Sequence, residues 1–145
     1  MGRWSLALSL GLVVASRSAL VFAAPFTIVM LPDTQHYSDA AQNYANFTAQ
    51  TQWIVEHRLS HQLAFTTQVG DLVQNGAEGV DSNQTEWDRV SAAFGLLDGF
   101  APAHPYVACA GNHDYDEVAD KASALQSVVH FGPARYVPQG ALVEP

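Results

Sequence analysis

The chain has 145 residues, 48% of them hydrophobic and 14% charged, the proportions of a globular sequence, which exclude a disordered or fibrous chain and leave room for one domain. With Lys+Arg 6 against Asp+Glu 14 and a net charge of -8, a standing nucleic-acid partner is not expected, because such binding rests on clustered Lys and Arg. Any phosphate would have to be attracted locally, and metal ions can do this by inverting the sign of an acidic pocket.

Arg3, the apolar stretch from Leu6 to Ala15 and the small residues leading to Val21-Phe22-Ala23 have the form of a secretory signal peptide, with cleavage expected after Ala23. The domain then covers residues 24–145, and a secreted or extracytoplasmic protein is expected. The apolar run is far shorter than the roughly 20 residues of a spanning helix, so no membrane span is expected. The sequons Asn46-Phe47-Thr48 and Asn83-Gln84-Thr85 fit a secreted glycoprotein with N-glycans at Asn46 and Asn83. Cys109 has no partner for an internal disulfide, and its apolar setting predicts a buried structural thiol.

Phe26 to Leu31, ended by Pro32, predicts a buried strand followed by a polar loop. From about Ala40 the apolar positions take helical spacing, with Tyr44, Phe47, Thr51, Ile54 and Val55 in one stripe and Trp53 on the opposite face. A second strand is predicted from Leu63 to Val69, a glycine-containing loop from Gly70 to Gly79, and a helix from about Gln84 to Asp98. That helix carries a stripe of Trp87, Val90, Phe94 and Leu97, and Asn83 with Glu86 resembles a capping box. A third strand is predicted from Pro105 to Ala110, a loop from Gly111 to Tyr115 and a helix from Glu117 to Val129. Pro133, Pro138 and Gly140 then suggest irregular chain. Strand, loop and helix in repetition predict an α/β fold of right-handed βαβ units, a parallel-sheet layer covered by helices.

In such sheets ligands collect beyond the carboxyl ends of the strands. There the sequence places Asp33-Thr34-Gln35-His36, then Gly70-Asp71 with the loop to Gly76, then Gly111-Asn112-His113-Asp114. Neighbouring parallel strands lie about 4.8 Å apart, so donors from adjacent strand ends can reach one ion or bridge two. Two ions about 3.5–4 Å apart can clamp a phosphoryl group during in-line displacement. Gly70 and Gly111 permit sharp turns and close backbone approach at these points. Asp33 taken alone would be a cap or turn residue and Asp71 a turn residue, but their coincidence with the third motif favours ligands. His57, His61 and His104 lack ligand spacing and are expected to be solvated surface residues. Asp81, Glu86, Asp88 and the run from Asp116 to Asp120 are expected to form a solvated face.

The three motifs resemble the first three of the calcineurin-like metallophosphoesterase superfamily, whose pattern is D-x-H, G-D-x-x and G-N-H-D/E. The resemblance extends from about Phe26 to Phe131. It implies that Asp33 binds a first metal, Asp71 bridges two and Asn112 binds the second, with His113 as general acid or transition-state stabiliser oriented by Asp114. Gln35 stands where the family has histidine and is read as a variant ligand, with neighbouring His36 as the fallback. An amide oxygen suits harder ions, which leaves Mg, Mn, Fe, Zn or Ca open with a tilt toward Mg, Mn or Ca. The family's later histidine and G-H-x-H motif have no match after Asp114, so the expected fold is the first half of the metallophosphoesterase α/β sandwich, truncated at its C-terminal side. Two function classes follow: a phosphomonoesterase or phosphodiesterase, or a non-catalytic fragment or secreted module keeping part of the metal site. A nucleotide-binding βαβ unit is disfavoured, because neither G-x-G-x-x-G nor G-x-x-x-x-G-K is present.

Overall fold

The computed structural model describes residues 24–77, 83–99, 103–117, 120, 122–123 and 125–136. The expected signal segment, Asp81 and the chain beyond Tyr136 lie outside them. In order come β1 (Thr27–Leu31), α1 (Gln35–Ser38), α2 (Tyr44–His57), β2 (Leu63–Gln68), α3 (Asn83–Asp98), β3 (Tyr106–Ala108), a 3₁₀ turn (Asn112–Asp114), α4 (Leu125–Phe131) and α5 (Pro133–Tyr136). The strands form a three-stranded sheet in the order β1-β2-β3, both pairings parallel. The α/β fold of βαβ units is therefore the fold of this chain.

The register explains where the core sits. Val29, Thr66 and Tyr106 form one row across the sheet, and Leu31, Gln68 and Ala108 form another. Both rows face the helices, since side chains two apart along a strand share a face. The stripe of α2 (Phe47, Thr51, Ile54, Val55) and that of α3 (Trp87, Val90, Phe94, Leu97) are buried against this side. Phe47 meets Phe94 edge-on at 5.8 Å, locking the two helices together. Among the described residues, no helix is long and apolar enough to cross a membrane.

Among the described residues the opposite face is open, which corrects the expectation of a buried first strand, while the helices cover the sheet from the other side. Met30, Thr67 and Val107 form the row between the two buried rows, and Met30 is 69% exposed, Ile28 55% and Phe26 68%. The reason is topological. When successive parallel strands are added in one direction, right-handed crossovers put both connecting helices on one side of the sheet. Parallel sheets are as a rule buried on both faces, so the alternation of β1 between Val29/Leu31 and Ile28/Met30 reads as a two-sided strand with one side open.

Several local expectations change. The predicted helix over Glu117–Val129 begins only at Leu125. Upstream, Asp120 N–H donates to the Glu117 carbonyl and Ser123 N–H to the Asp120 carbonyl, both turn bonds between residues three apart. Pro133 opens α5 instead of irregular chain, a placement that suits a residue without an N–H. Cys109 is exposed, because it lies just past the end of the edge strand β3. Asn83 is only 6% exposed, and its Nδ2 donates to the Asn75 and Gly76 carbonyls, so the nitrogen that would carry a glycan is already committed. Asn46, by contrast, is exposed on α2.

His104 is buried, not a solvated surface residue. It lies ahead of β3, donates its N–H to the Leu97 carbonyl, and pairs its Nε2 with Thr66 Oγ1 at 2.9 Å. Burial and the nearby Arg58 guanidinium hold its pKa below the ordinary histidine value. A folded-state pKa below the unfolded one means that stability is fully present above about pH 6.5 and is lost as the pH falls through the folded value. Urea midpoints measured from pH 7.5 down to pH 5 should therefore fall more steeply for the natural chain than for His104→Gln. Parallel curves would contradict this assignment.

Candidate metal centre

The three motif loops leave the carboxyl ends of β1, β2 and β3 side by side, and a small set of hydrogen bonds fixes their spacing. Gln68, the last residue of β2, is fully buried and works at both strand ends. Its Oε1 accepts the Gly70 N–H at 2.7 Å, and its Nε2 donates to the Gly70 carbonyl at 2.7 Å and to the Pro32 carbonyl at 3.2 Å. The Thr34 N–H then donates to the Asp71 carbonyl at 3.1 Å, joining the first loop to the second.

The second and third loops approach so closely that only glycine fits. Gly70 has φ +106, and a Cβ there would lie 2.9 Å from Gly111 Cα, while a Cβ on Gly111 would run into the Asp71 carboxylate and backbone nitrogen. Asp71 itself has φ 54, a left-handed conformation unusual for a side-chain-bearing residue outside Asn and Asp. Its Oδ1 accepts the His113 N–H at 2.9 Å, which leaves Oδ2 as the remaining acceptor.

Asp114 does not orient His113 as the resemblance implies. It is completely buried, its Oδ1 accepting from the Leu72 and Val73 N–H groups at 2.7 and 3.0 Å and its Oδ2 from the Gly111 N–H at 2.8 Å. Burial pushes its pKa up to about 6 against the opposing pull of these three donors. The His113 ring is held instead by Nδ1, 3.0 Å from the Gln74 carbonyl. A carbonyl can only accept, so Nδ1 carries the proton and Nε2 is left for other work.

Glu86 is the residue that sequence reasoning missed. It is fully buried in the first turn of α3, not part of a solvated face. Its Oε2 accepts the Gln74 and Asn75 N–H groups at 2.8 and 2.9 Å, and its Oε1 accepts from Asn75 Nδ2 at 2.7 Å. Three residues on, Arg89 Nη1 donates to the Ser38 and Asp39 carbonyls at 2.7 and 3.1 Å. One helix thus grips the first loop by its carbonyls and the second by its N–H groups. Glu three residues after Asn at a helix start was the available signal, but its partners lie outside the helix and cannot be read from spacing.

Asp33 and His36 line an open pocket of about 290 Å³ together with Tyr37. Asp33 Oδ1 accepts the Gln35 N–H at 2.9 Å, and His36 Nδ1 lies 3.1 Å from Asp39 Oδ2. Gln35 Oε1 is buried and has no hydrogen-bond partner, and the same is true of Gln74 Oε1. Asn112 is exposed at the start of the 3₁₀ turn. The expected ligands thus stand on three adjacent loops, with Asp33, Gln35 and His36 on the first. Among the described residues, no group of three or more His, Cys, Asp or Glu side chains is gathered as a metal cage.

These roles separate in stability measurements. Asp114→Asn turns an amide N–H₂ toward backbone donors and should cost about 2–4 kcal/mol, whereas Asp33→Asn, exposed and with one bond, should stay within about 1 kcal/mol. Chemical denaturation of both variants checks the contrast, and equal losses would refute it.

No family model matches the chain, and no solved structure matches it. The protein YvnB of Bacillus subtilis (strain 168), itself uncharacterised, is similar to it at 28% identity over 89 residues, 61% of this chain. The matched stretch is 6% of that relative, so this chain corresponds to a small part of its length.

Proposed function

We propose that the protein is an exported, metal-dependent phosphoester hydrolase of the calcineurin-like metallophosphoesterase type, acting on phosphomonoesters or phosphodiesters. The observation that carries the reading is the lacing of the three strand-end loops, which brings Asp33, Asp71 and Asn112-His113 to one edge of the sheet through Thr34–Asp71, His113–Asp71 and Leu72–Asp114 hydrogen bonds.

The donor set suits hard divalent ions. Asp33, Gln35 or His36, Asp71 and Asn112 would hold two of them, and the buried Oε1 of Gln35, without a hydrogen-bond partner, is an acceptor that such an ion would satisfy. When bound, such ions supply Lewis acidity toward phosphoryl oxygens and a nucleophile at neutral pH. The chain's own residues do the rest. Asp71 holds its free oxygen in place because its backbone and Oδ1 are both committed. His113, fixed at Nδ1 by Gln74, holds or moves a proton at Nε2 beside the departing oxygen. Glu86 keeps Gln74 where this bond requires it.

Loading the full chain with Mn²⁺ or Mg²⁺ and assaying p-nitrophenyl phosphate and bis-p-nitrophenyl phosphate tests the reading. Turnover should vanish with EDTA, return on reloading, and fall about 10²–10⁴-fold in His113→Ala. Asp71→Asn should abolish it, and activity persisting in both variants would sink the assignment. A second reading, a non-catalytic module that binds an ion weakly, is favoured by the lack of a three-residue cage among the described residues. Two ions retained per chain through gel filtration would contradict it.

A further inference from the structure

The far end of α2, at the opposite edge of the sheet from the motif loops, carries a cluster that the proposed function does not use. Trp53 stacks on His57 with ring centroids 4.5 Å apart and 15° between planes, and His61 closes on both, 5.4 Å from Trp53 and 5.1 Å from His57. His57 closes the helix, and His61 lies in the turn that follows it.

The hydrogen bonds assign the protons. His57 Nδ1 lies 2.8 Å from the Trp53 carbonyl, which can only accept, so Nδ1 carries the hydrogen and Nε2 the lone pair. Ser60 Oγ donates to the His57 carbonyl at 3.2 Å. Having one hydrogen to give, it must accept from His61 Nδ1, 3.0 Å away, which leaves the His61 Nε2 lone pair free as well. Both imidazoles are thus oriented through Nδ1–H by an oxygen acceptor, as metal-binding histidines are.

Three further features agree. Two imidazoles on adjacent positions of one ion, each bound at about 2.0–2.1 Å, place their ring centres roughly 5 Å apart, the separation seen here. The C-terminal end of α2 is the negative pole of the helix dipole, which favours a cation. His61 is exposed and His57 partly so, leaving room for water to complete the coordination.

We propose that His57 and His61 form a surface site for a late first-row divalent ion (Cu²⁺, Ni²⁺ or Zn²⁺), with Cu²⁺ held most tightly. Imidazole nitrogen is a ligand these ions favour, unlike the oxygen donors at the strand ends, and the affinity order follows the general trend for nitrogen sites. The site is independent of the hydrolase reading.

The stacked Trp53 reports occupancy. Titrating the full chain with CuCl₂ should quench tryptophan emission saturably at one ion per chain. His57→Ala, His61→Ala and the milder His57→Gln should each weaken that binding at least tenfold while far-UV dichroism and the thermal midpoint stay unchanged. Trp53→Phe should remove most of the quenching but leave the binding heat in calorimetry. Unchanged Cu²⁺ affinity in the folded His57→Gln or His61→Ala variant would overturn the proposal, as would the same quenching amplitude in Trp53→Phe.

Discussion

A backbone that leaves a parallel sheet loses its ladder partners while still close to the core, and its N–H groups must be satisfied by something. In this protein carboxylates do it. Asp114 takes the N–H groups of Leu72, Val73 and Gly111, and Glu86 takes those of Gln74 and Asn75. Removing either acid would leave buried donors unpaired, at a cost larger than the net worth of an ordinary hydrogen bond. The path of the second loop, and with it the position of Asp71, rests on these two acids.

The same arrangement divides the acidic residues into two kinds. Asp114 and Glu86 are fully buried and saturated by donors, so they build the scaffold. Asp33 and Asp71 each commit one oxygen to a backbone N–H and keep the other in reserve. That partial commitment is what the proposed ligand role would use, since one bond fixes the direction of the carboxylate and the other oxygen stays available. Gln68 shows the neutral version of the principle, its amide satisfying both polar groups of Gly70 so that the turn before Asp71 is held from inside the sheet.

Beyond the site, the sheet has a covered face and an open one. The covered face is closed by aromatic packing that continues past β3, where Phe94 meets Tyr106 and Phe131, the Tyr136 hydroxyl accepts the Ala108 N–H, and Arg135 pairs with Asp98. The open face, with Ile28, Met30 and Val107, carries side chains of the kind that parallel sheets bury.

The amino-acid sequence by itself determined the three strands, the buried stripes of α2 and α3, and the gathering of Asp33, Asp71 and Asn112-His113 at one sheet edge. Those features are written in local periodicity, in glycines at turns and in the rule that parallel units return to the same end. The tertiary structure decided what Asp114 and Glu86 do, that His104 is buried against Thr66, that Gln74 and not Asp114 holds His113, and that among the described residues one sheet face is open. Asp114 and Leu72 are 42 residues apart, as are His113 and Asp71, and a bond across such a distance leaves no spacing pattern in the chain. An acid in the first turn of an amphipathic helix looks the same in sequence whether it meets water or the backbone of another loop, and only the packed fold distinguishes them.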